Sequence, residues 1–388
     1  MSAAVFWVWG VLIGAGWTYK LIECAIGMPK VPDLARPEWL PDPGQKLPRI
    51  SVIVPALNEE EKLEAALRSL LVLDYPDYEV IAIDDRSTDQ TGQIMDRRAK
   101  DNLPKLKVVH ITALPEKWLG KPNALQRGSD VANGEWLLFT DADVSFRPDA
   151  LSRAVHLGNK TSSDHVVIFP TLITESWGER MMLAFLSLAF TLRRLWKVSD
   201  PKARHDFIGV GAFNMVRRGA FDALGGMQPL RMEVVEDMKL GKLIKKNGFK
   251  QIAAFGDGLL TIHWARGAWG IVRNLRKNTF AFLGFNWLLT LLGIVGLFLV
   301  HLGLYVGIVF APGWSKIGFA VGLFSLGLFY VGIHRRLKIS PIYFFLHPLS
   351  TLMMCLALAQ STYFTLKNGG IEWRGTSYPL EDLRKGLV

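Results

Sequence analysis

At 388 residues the chain is long enough for one large domain with appendages, and half of its residues are apolar, more than a water-soluble enzyme of this size usually carries. A formal net charge of +10 suits either an anionic membrane surface or a nucleic acid, and the long uncharged stretches described below favour the membrane and argue against nucleic acid as a partner. Cys24 and Cys355 both lie in or near apolar segments, so no disulfide framework is implied.

The first segment, Ala3 to Tyr19, is apolar, contains three tryptophans and lacks a basic region before it. It reads as a retained anchor within residues 1–26 and not as a cleaved signal. From Pro48 to Phe280 the pattern is that of an α/β domain, with its main body placed at 48–262. Arg49 to Pro55 is a β-branched run, Glu59 to Leu73 has apolar residues at helical spacing, and Tyr78 to Ile83 is a second strand ending in Asp84-Asp85. Thr88 to Lys100 reads as a helix, Leu106 to Ile111 as a strand, Lys121 to Ala132 as a helix and Trp136 to Thr140 as a fourth strand. Such alternation predicts a mostly parallel, Rossmann-like sheet covered on both faces, with ligands beyond the carboxyl ends of its strands. Pro55 to Glu59, Asp84-Asp85 and Asp141-Ala142-Asp143 all fall at such ends.

Later segments turn apolar again. Met181 to Trp196, closed by Arg193, Arg194 and Lys197, suits an interfacial helix or a core helix. Residues 263–286 mix aromatic and basic side chains like a collar at a membrane interface. Three uncharged stretches within 287–366, namely Trp287 to Ala311, Ile317 to Ile333 and Pro341 to Leu366, are candidate transmembrane helices. Lys20, Lys30 and Arg36 after the first segment, and Arg266, Arg273, Arg276 and Lys277 before Trp287, place the central domain on the cytoplasmic face. The same rule wants His334 to Lys338 inside, yet a third crossing would put the basic tail of residues 367–388 outside, so one late segment is re-entrant or interfacial, or the tail disobeys the rule.

The polar motifs carry the chemistry. Two carboxylates at Asp141 and Asp143, where a strand ends, can hold a hard cation whose shell is completed by phosphate and water, although an isolated acidic turn is commonplace. Glu236-Asp237 opens a helix whose Leu240, Leu243 and Ile244 mark an apolar side, and acids also favour a helix N-terminus for purely structural reasons. In order along the chain, Val54 to Glu59, Ile83 to Asp89, Gly120 to Leu125, Asp141 to Asp143 and Glu236-Asp237 resemble the motifs of family 2 glycosyltransferases with the GT-A fold. The resemblance covers roughly the central two thirds and is closest to membrane-bound enzymes that glycosylate ceramide, hopanoid or carotenoid lipids.

That resemblance implies a set of roles. Pro55, Asn58, Glu59, Lys121 and Asp141 would bind a nucleotide-sugar donor, UDP-sugar first among them, with one of Asp84 and Asp85 on the base. Asp143 would hold Mg²⁺ or Mn²⁺, and Asp237 would take the acceptor's proton in an inverting transfer. Apart from the resemblance, His263 offers a further metal or phosphate ligand, although an isolated histidine is more often structural. Processive synthases of the family carry a Gln-x-x-Arg-Trp motif; here Arg273-Asn-Leu-Arg276-Lys277 stands instead. Arg273 or Arg276 could still bind diphosphate, but the missing tryptophan disfavours long polymers. The expected product is therefore a glycolipid made in the plasma or inner membrane. Sugar transfer to a polyprenyl phosphate is the alternative within the enzyme class, and a non-catalytic scaffold or transporter the alternative outside it.

Overall fold

In the computed structural model, which describes residues 2–42, 44 and 47–388, helix α1 (Ala3–Gly27) precedes an alternating region of β1 (Ile50–Ala56), α2 (Glu60–Leu71), β2 (Tyr78–Asp85), α3 (Thr91–Asn102), β3 (Leu106–Ile111), α4 (Gly120–Asp130) and β4 (Trp136–Phe139). There follow β5 (Ser145–Phe146), α5 (Ala150–Lys160), β6 (His165–Phe169), β7 (Thr171–Leu172), α6 (Trp177–Thr191), β8 (Asn214–Arg217), α7 (Arg218–Ala223), α8 (Glu236–Lys246), β9 (Gln251–Phe255) and β10 (Leu260–Ile262). Helices α9 (Gly267–Phe282), α10 (Trp287–Leu297), α11 (Gly303–Phe310), α12 (Lys316–Leu337) and α13 (His347–Lys367) lead to the hairpin β11 (Gly370–Trp373) and β12 (Thr376–Pro379) and the short α14 (Leu380–Lys385). Two compact units result. The globular one holds residues 31–173, 196–263 and 372–388; the helical one holds the segment up to Lys30 together with 174–195 and 264–371.

The globular unit is built on a seven-stranded sheet of order β3-β2-β1-β4-β8-β6-β9. β1 pairs in parallel with β2 and β4, and β2 with β3, whereas β8 runs antiparallel to both neighbours. Parallel strands covered on both faces must be apolar throughout, and every residue of β1 except Pro55 is buried. Pro55 has no N–H to donate to a sheet neighbour. β4 stops opposite Ile53, so Pro55 lies beyond that strand's reach. The helix α2 buries Leu63, Ala66, Leu67 and Leu70, the spacing of one helical face. Strand order reverses between β1 and β4, which opens a crevice at their carboxyl ends.

Helix α3 starts at Thr91, three residues later than the pattern of Thr88 to Lys100 suggests. The Asp89 carboxylate accepts the Thr91 and Glu60 backbone N–H groups at 2.9 and 3.2 Å, which keeps the preceding residues as a loop tied to the start of α2.

In the helical unit, Ala3–Lys30, Trp287–Phe310, Gly313–Leu337 and Pro341–Lys367 are, among the described residues, the helices long and apolar enough to cross a membrane. α1 packs closely on α12: a Cβ on Gly14 would run into the Gly318 carbonyl, and one on Gly318 into that of Gly10. Small residues that let backbones meet are the usual device where lipid removes the hydrophobic drive between helices. Helix α6 buries Met181, Met182, Leu183, Ala184, Phe185 and Leu188. Its apolar face is thus spent on packing against α9, α12 and α13, which is the core-helix alternative for this stretch. Arg273 and Arg276 are exposed on α9, the Arg276 guanidinium 5.0 Å from the Phe364 ring centre.

Candidate active site

Three acidic side chains of the globular unit gather on one ammonium. Lys121, on the first turn of α4, places Nζ 2.7 Å from Asp141 Oδ1 and 2.7 Å from Glu236 Oε1. Asp237 follows at the start of α8. One cation cannot offset three carboxylates, and the imbalance shows at Asp237. Burial, then the neighbouring Glu236 charge, pushes Asp237 up to about 6, against the opposing pull of Lys121 and of the Met238 N–H, which Oδ1 accepts at 2.7 Å. Lys121 is held well above the ordinary lysine range by the charges of Asp141, Glu236 and Asp237, which outweigh its own desolvation.

The small residues between Phe207 and Phe213 are what let this cluster close. A Cβ on Gly211 would lie 2.6 Å from Asp141 Oδ2 and 3.3 Å from Lys121 Nζ, and one on Gly209 would collide with the Asp237 carbonyl. The close approach these glycines allow is that of the acid cluster itself. Behind it runs a buried polar relay. Gln251 Nε2 donates to the Ile208 carbonyl and meets His165 Nδ1 at 2.6 Å; His165 Nε2 bonds Asn214 Oδ1; and Asn214 Nδ2 donates to the Asp237 carbonyl at 3.2 Å. Desolvation holds His165 neutral by taking it down to about 4. A neutral His165 that accepts at Nδ1 and donates at Nε2 satisfies every step of the relay in one direction.

At the end of β2 the two aspartates differ in their bonds. Asp84 accepts the Ser87 N–H at 3.1 Å and pairs with His110 Nδ1 at 3.0 Å, while Asp85, 3% exposed, takes the Arg86 Nε and Nη2 at 2.8 and 3.1 Å. His110 is raised by its hydrogen bonds to Asp84 and Asp96. Asn58, at the end of β1, adopts φ +54°, a left-handed conformation Asn tolerates better than most residues. From there it ties the two loops together, giving its N–H to Ser87 Oγ at 3.1 Å and accepting the Thr88 N–H at 2.8 Å. Glu59 pairs with Arg374.

Asp143, one-fifth exposed, pairs with Lys62 at 3.0 Å, and the same ammonium reaches the His263 carbonyl at 3.4 Å. Lys62 thus touches both residues expected at a metal, Asp143 through its carboxylate and His263 through its main chain only. Among the described residues no three His, Cys, Asp or Glu side chains form a ready-made cage. Mg²⁺ and Mn²⁺ in phosphate-transfer sites take one or two carboxylates and complete their shell from the substrate, and Asp143 fits that use. Of the expected donor residues, Pro55, Asn58, Glu59, Asp84, Asp85 and Asp141 lie on the globular unit at or just beyond strand ends and Lys121 in the first turn of α4, while Arg273 and Arg276 belong to the helical unit. Lys62, His165, Asn214, Gln251 and Arg374 are site neighbours that no local motif marks.

Comparisons with known proteins bear on the fold and the family. The profile described as glycosyl transferase family 2 matches residues 51–225. A PGL/p-HBAD biosynthesis glycosyltransferase of Mycobacterium tuberculosis is 36% identical over 196 residues, 49% of this chain and 67% of that protein. The beta-monoglucosyldiacylglycerol synthase of Trichormus variabilis is 31% identical over 226 residues, 56% of this chain but only 45% of its own length. A GalNAc(5)-diNAcBac-PP-undecaprenol beta-1,3-glucosyltransferase of Campylobacter jejuni is 31% identical over 163 residues, 42% of this chain and 48% of that one. The chain thus spans about half the length of the last two. Among solved structures, the Pyrobaculum calidifontis mannosyltransferase PcManGT, in complex with GDP-Man and Mn²⁺, shares the fold at a TM-score of 0.54 and 21% identity, over 92% of this chain and 99% of that one. With the ordered motifs, the sheet and the relatives in agreement, the chain belongs to glycosyltransferase family 2.

Proposed function

We propose that this glycosyltransferase moves a sugar from a nucleotide sugar, a UDP-sugar, to a membrane lipid, with inversion at the anomeric carbon and with its catalytic domain on the cytoplasmic face of the plasma or inner membrane. The observation that carries the reading is the Asp141, Glu236 and Asp237 cluster on Lys121. A carboxylate that titrates near 6 is suited to accept a proton at neutral pH. As the lipid hydroxyl oxygen bonds to the anomeric carbon, its proton passes to Asp237 and the bond to the diphosphate breaks on the opposite face. One displacement of this kind inverts the centre.

The remaining roles follow from charge and position. Lys121 offers a fixed ammonium to the donor, close to where Asp141 would meet the sugar or nucleotide. Asp84 or Asp85 takes the base, with Pro55, Asn58 and Glu59 beside it, and Arg273 or Arg276 the diphosphate. Asp143 and His263 would hold Mg²⁺ or Mn²⁺, which when bound supplies Lewis-acid stabilisation of the leaving diphosphate. Support for a lipid acceptor comes from the apolar helices and from relatives named for diacylglycerol and undecaprenol products. The test is transfer of radiolabelled sugar from UDP- and GDP-sugars into a total lipid extract and, separately, into polyprenyl phosphate, with EDTA and Asp237→Asn controls. Label in one lipid band, lost in both controls, is the expected result; no transfer from any donor by folded protein overturns it.

A further inference from the structure

The hairpin after α13 turns on an unusual pair. Arg374 and Gly375 are its central residues, with φ of +48° and +76°, the two positive values of a type I′ turn. Asn-Gly is the favoured pair for that turn, because a side chain beyond Asn crowds the left-handed conformation. This chain nonetheless places arginine there. Strained backbone of this sort persists where the surroundings hold it, and it clusters at ligand sites.

What the tip touches gives the strain a use. The Arg374 guanidinium donates to the Leu57 carbonyl and to Glu59 Oε1, both just beyond β1, yet its side chain remains 42% exposed. Four residues on, Tyr378 is 6% exposed. Its hydroxyl accepts the Gly120 N–H at 3.3 Å, where α4 begins, and also bonds Arg86. The space there is tight: a Cβ on Gly120 would sit 2.6 Å from Asp85 Oδ2 and 2.9 Å from Arg86 Nη2. Val388 anchors the far end of the tail, donating to Glu233 at 2.6 Å and accepting from Lys242 at 2.6 Å. One short segment therefore bridges the loops after β1 and β2 and the start of α4, the three places assigned above to the nucleotide.

We infer that the hairpin forms a wall of the donor pocket, with Arg374 a donor-binding residue for the nucleoside diphosphate and Tyr378 a positioning residue that braces Arg86 and Gly120. The inference rests on the donor reading given above. A guanidinium held on one edge by Glu59 and a carbonyl keeps its fork pre-organised for ribose or phosphate oxygens on the other. Arginine at the tip serves the ligand, at some expense to the turn.

The substitution Arg374→Asn separates the two. Asn-Gly restores the preferred turn, so the fold should keep or raise its melting temperature, while UDP binding by the full-length protein in detergent should weaken roughly tenfold or more, the loss expected for a charge-assisted contact. Arg374→Lys should recover part of that affinity. Titration calorimetry with UDP and with GDP, alongside thermal melts, reads both quantities. If wild type binds UDP and Arg374→Asn binds it equally, this inference alone is overturned. Affinity lost only in step with melting temperature also overturns it, since Arg374 then serves the fold. If wild type binds neither nucleotide, the donor reading itself falls, and this inference with it.

Discussion

Replacing Asp237 by Asn should make the protein more stable and catalytically inert in a single step. A carboxyl that titrates near 6 in place of 3.8 is held against its own charge by roughly 3 kcal/mol. The cause is burial beside Glu236 and Asp141, only partly offset by Lys121. Asn keeps the oxygen that accepts the Met238 N–H and removes the charge. The folded state binds the Asp237 proton more tightly than the unfolded chain does, so wild-type stability from this group falls as pH rises from 3.8 to 6. Above that window the full cost is present. The variant's advantage should therefore be largest near pH 7.5, of order 1–3 kcal/mol and several degrees in Tm, and should shrink towards pH 4. Thermal melts of both proteins at pH 7.5 and 4.5, with sugar transfer measured at the higher pH, test this. A variant no more stable than wild type at pH 7.5, or equally advantaged at both pH values, would refute the electrostatic argument; retained transfer would refute the role of the residue. In wild type the same group predicts that kcat falls about tenfold per pH unit below about 6.

Three further outcomes are expected. Lys62→Met leaves Asp143 without its ammonium, so Mn²⁺ should bind more tightly in the absence of donor, by several-fold in titration calorimetry; unchanged affinity would show that Asp143 is not where the cation sits. His165 is kept neutral down to about 4, so between pH 6.5 and 4 the unfolded chain gains a proton the folded one refuses, and stability should fall by up to roughly 3 kcal/mol. Denaturation at pH 7 and 4.5 should show a shallower loss for His165→Gln, and equal slopes would remove His165 from the account. Gly14→Leu inserts a side chain where α1 meets the Gly318 carbonyl and should lower the melting temperature of the detergent-solubilised protein by several degrees, while the exposed control Gly16→Leu, with open space at its Cβ, should leave it unchanged.

What could be read from sequence was local. The β-branched run before Pro55, the apolar spacing of α2 and the acids at strand ends each declare themselves within a few residues, and the sheet follows from their order. The helix starting at Glu236 is marked by Leu240, Leu243 and Ile244, all of them buried or nearly so. Features made by distant residues left no such mark. Lys62 meets Asp143 across 81 positions, Asn214 meets His165 across 49, and Arg374 meets Glu59 across 315. Each is an ordinary polar residue until the sheet brings its partner near. The fate of α6 was undecidable for a related reason, because an apolar run closed by basic residues suits lipid and protein equally, and only the packing of α9, α12 and α13 settles it.

Membership of residues 372–388 in the globular unit sets a parity on the chain. The polypeptide leaves that unit after His263 and rejoins it at Glu372, so in a bilayer the intervening length must cross an even number of times. Three of the long apolar helices lie in that interval, and three is odd. One of them is then re-entrant or interfacial and does not cross. Pro341–Lys367 is the one that opens with a six-residue 3₁₀ turn, Pro341–Leu346, with proline again at the first turn of the helix and His347 wholly buried where the two meet. A segment that does not cross keeps the basic tail on the side of the sheet, as its charge favours, and leaves Arg374 beside Glu59 without a further crossing.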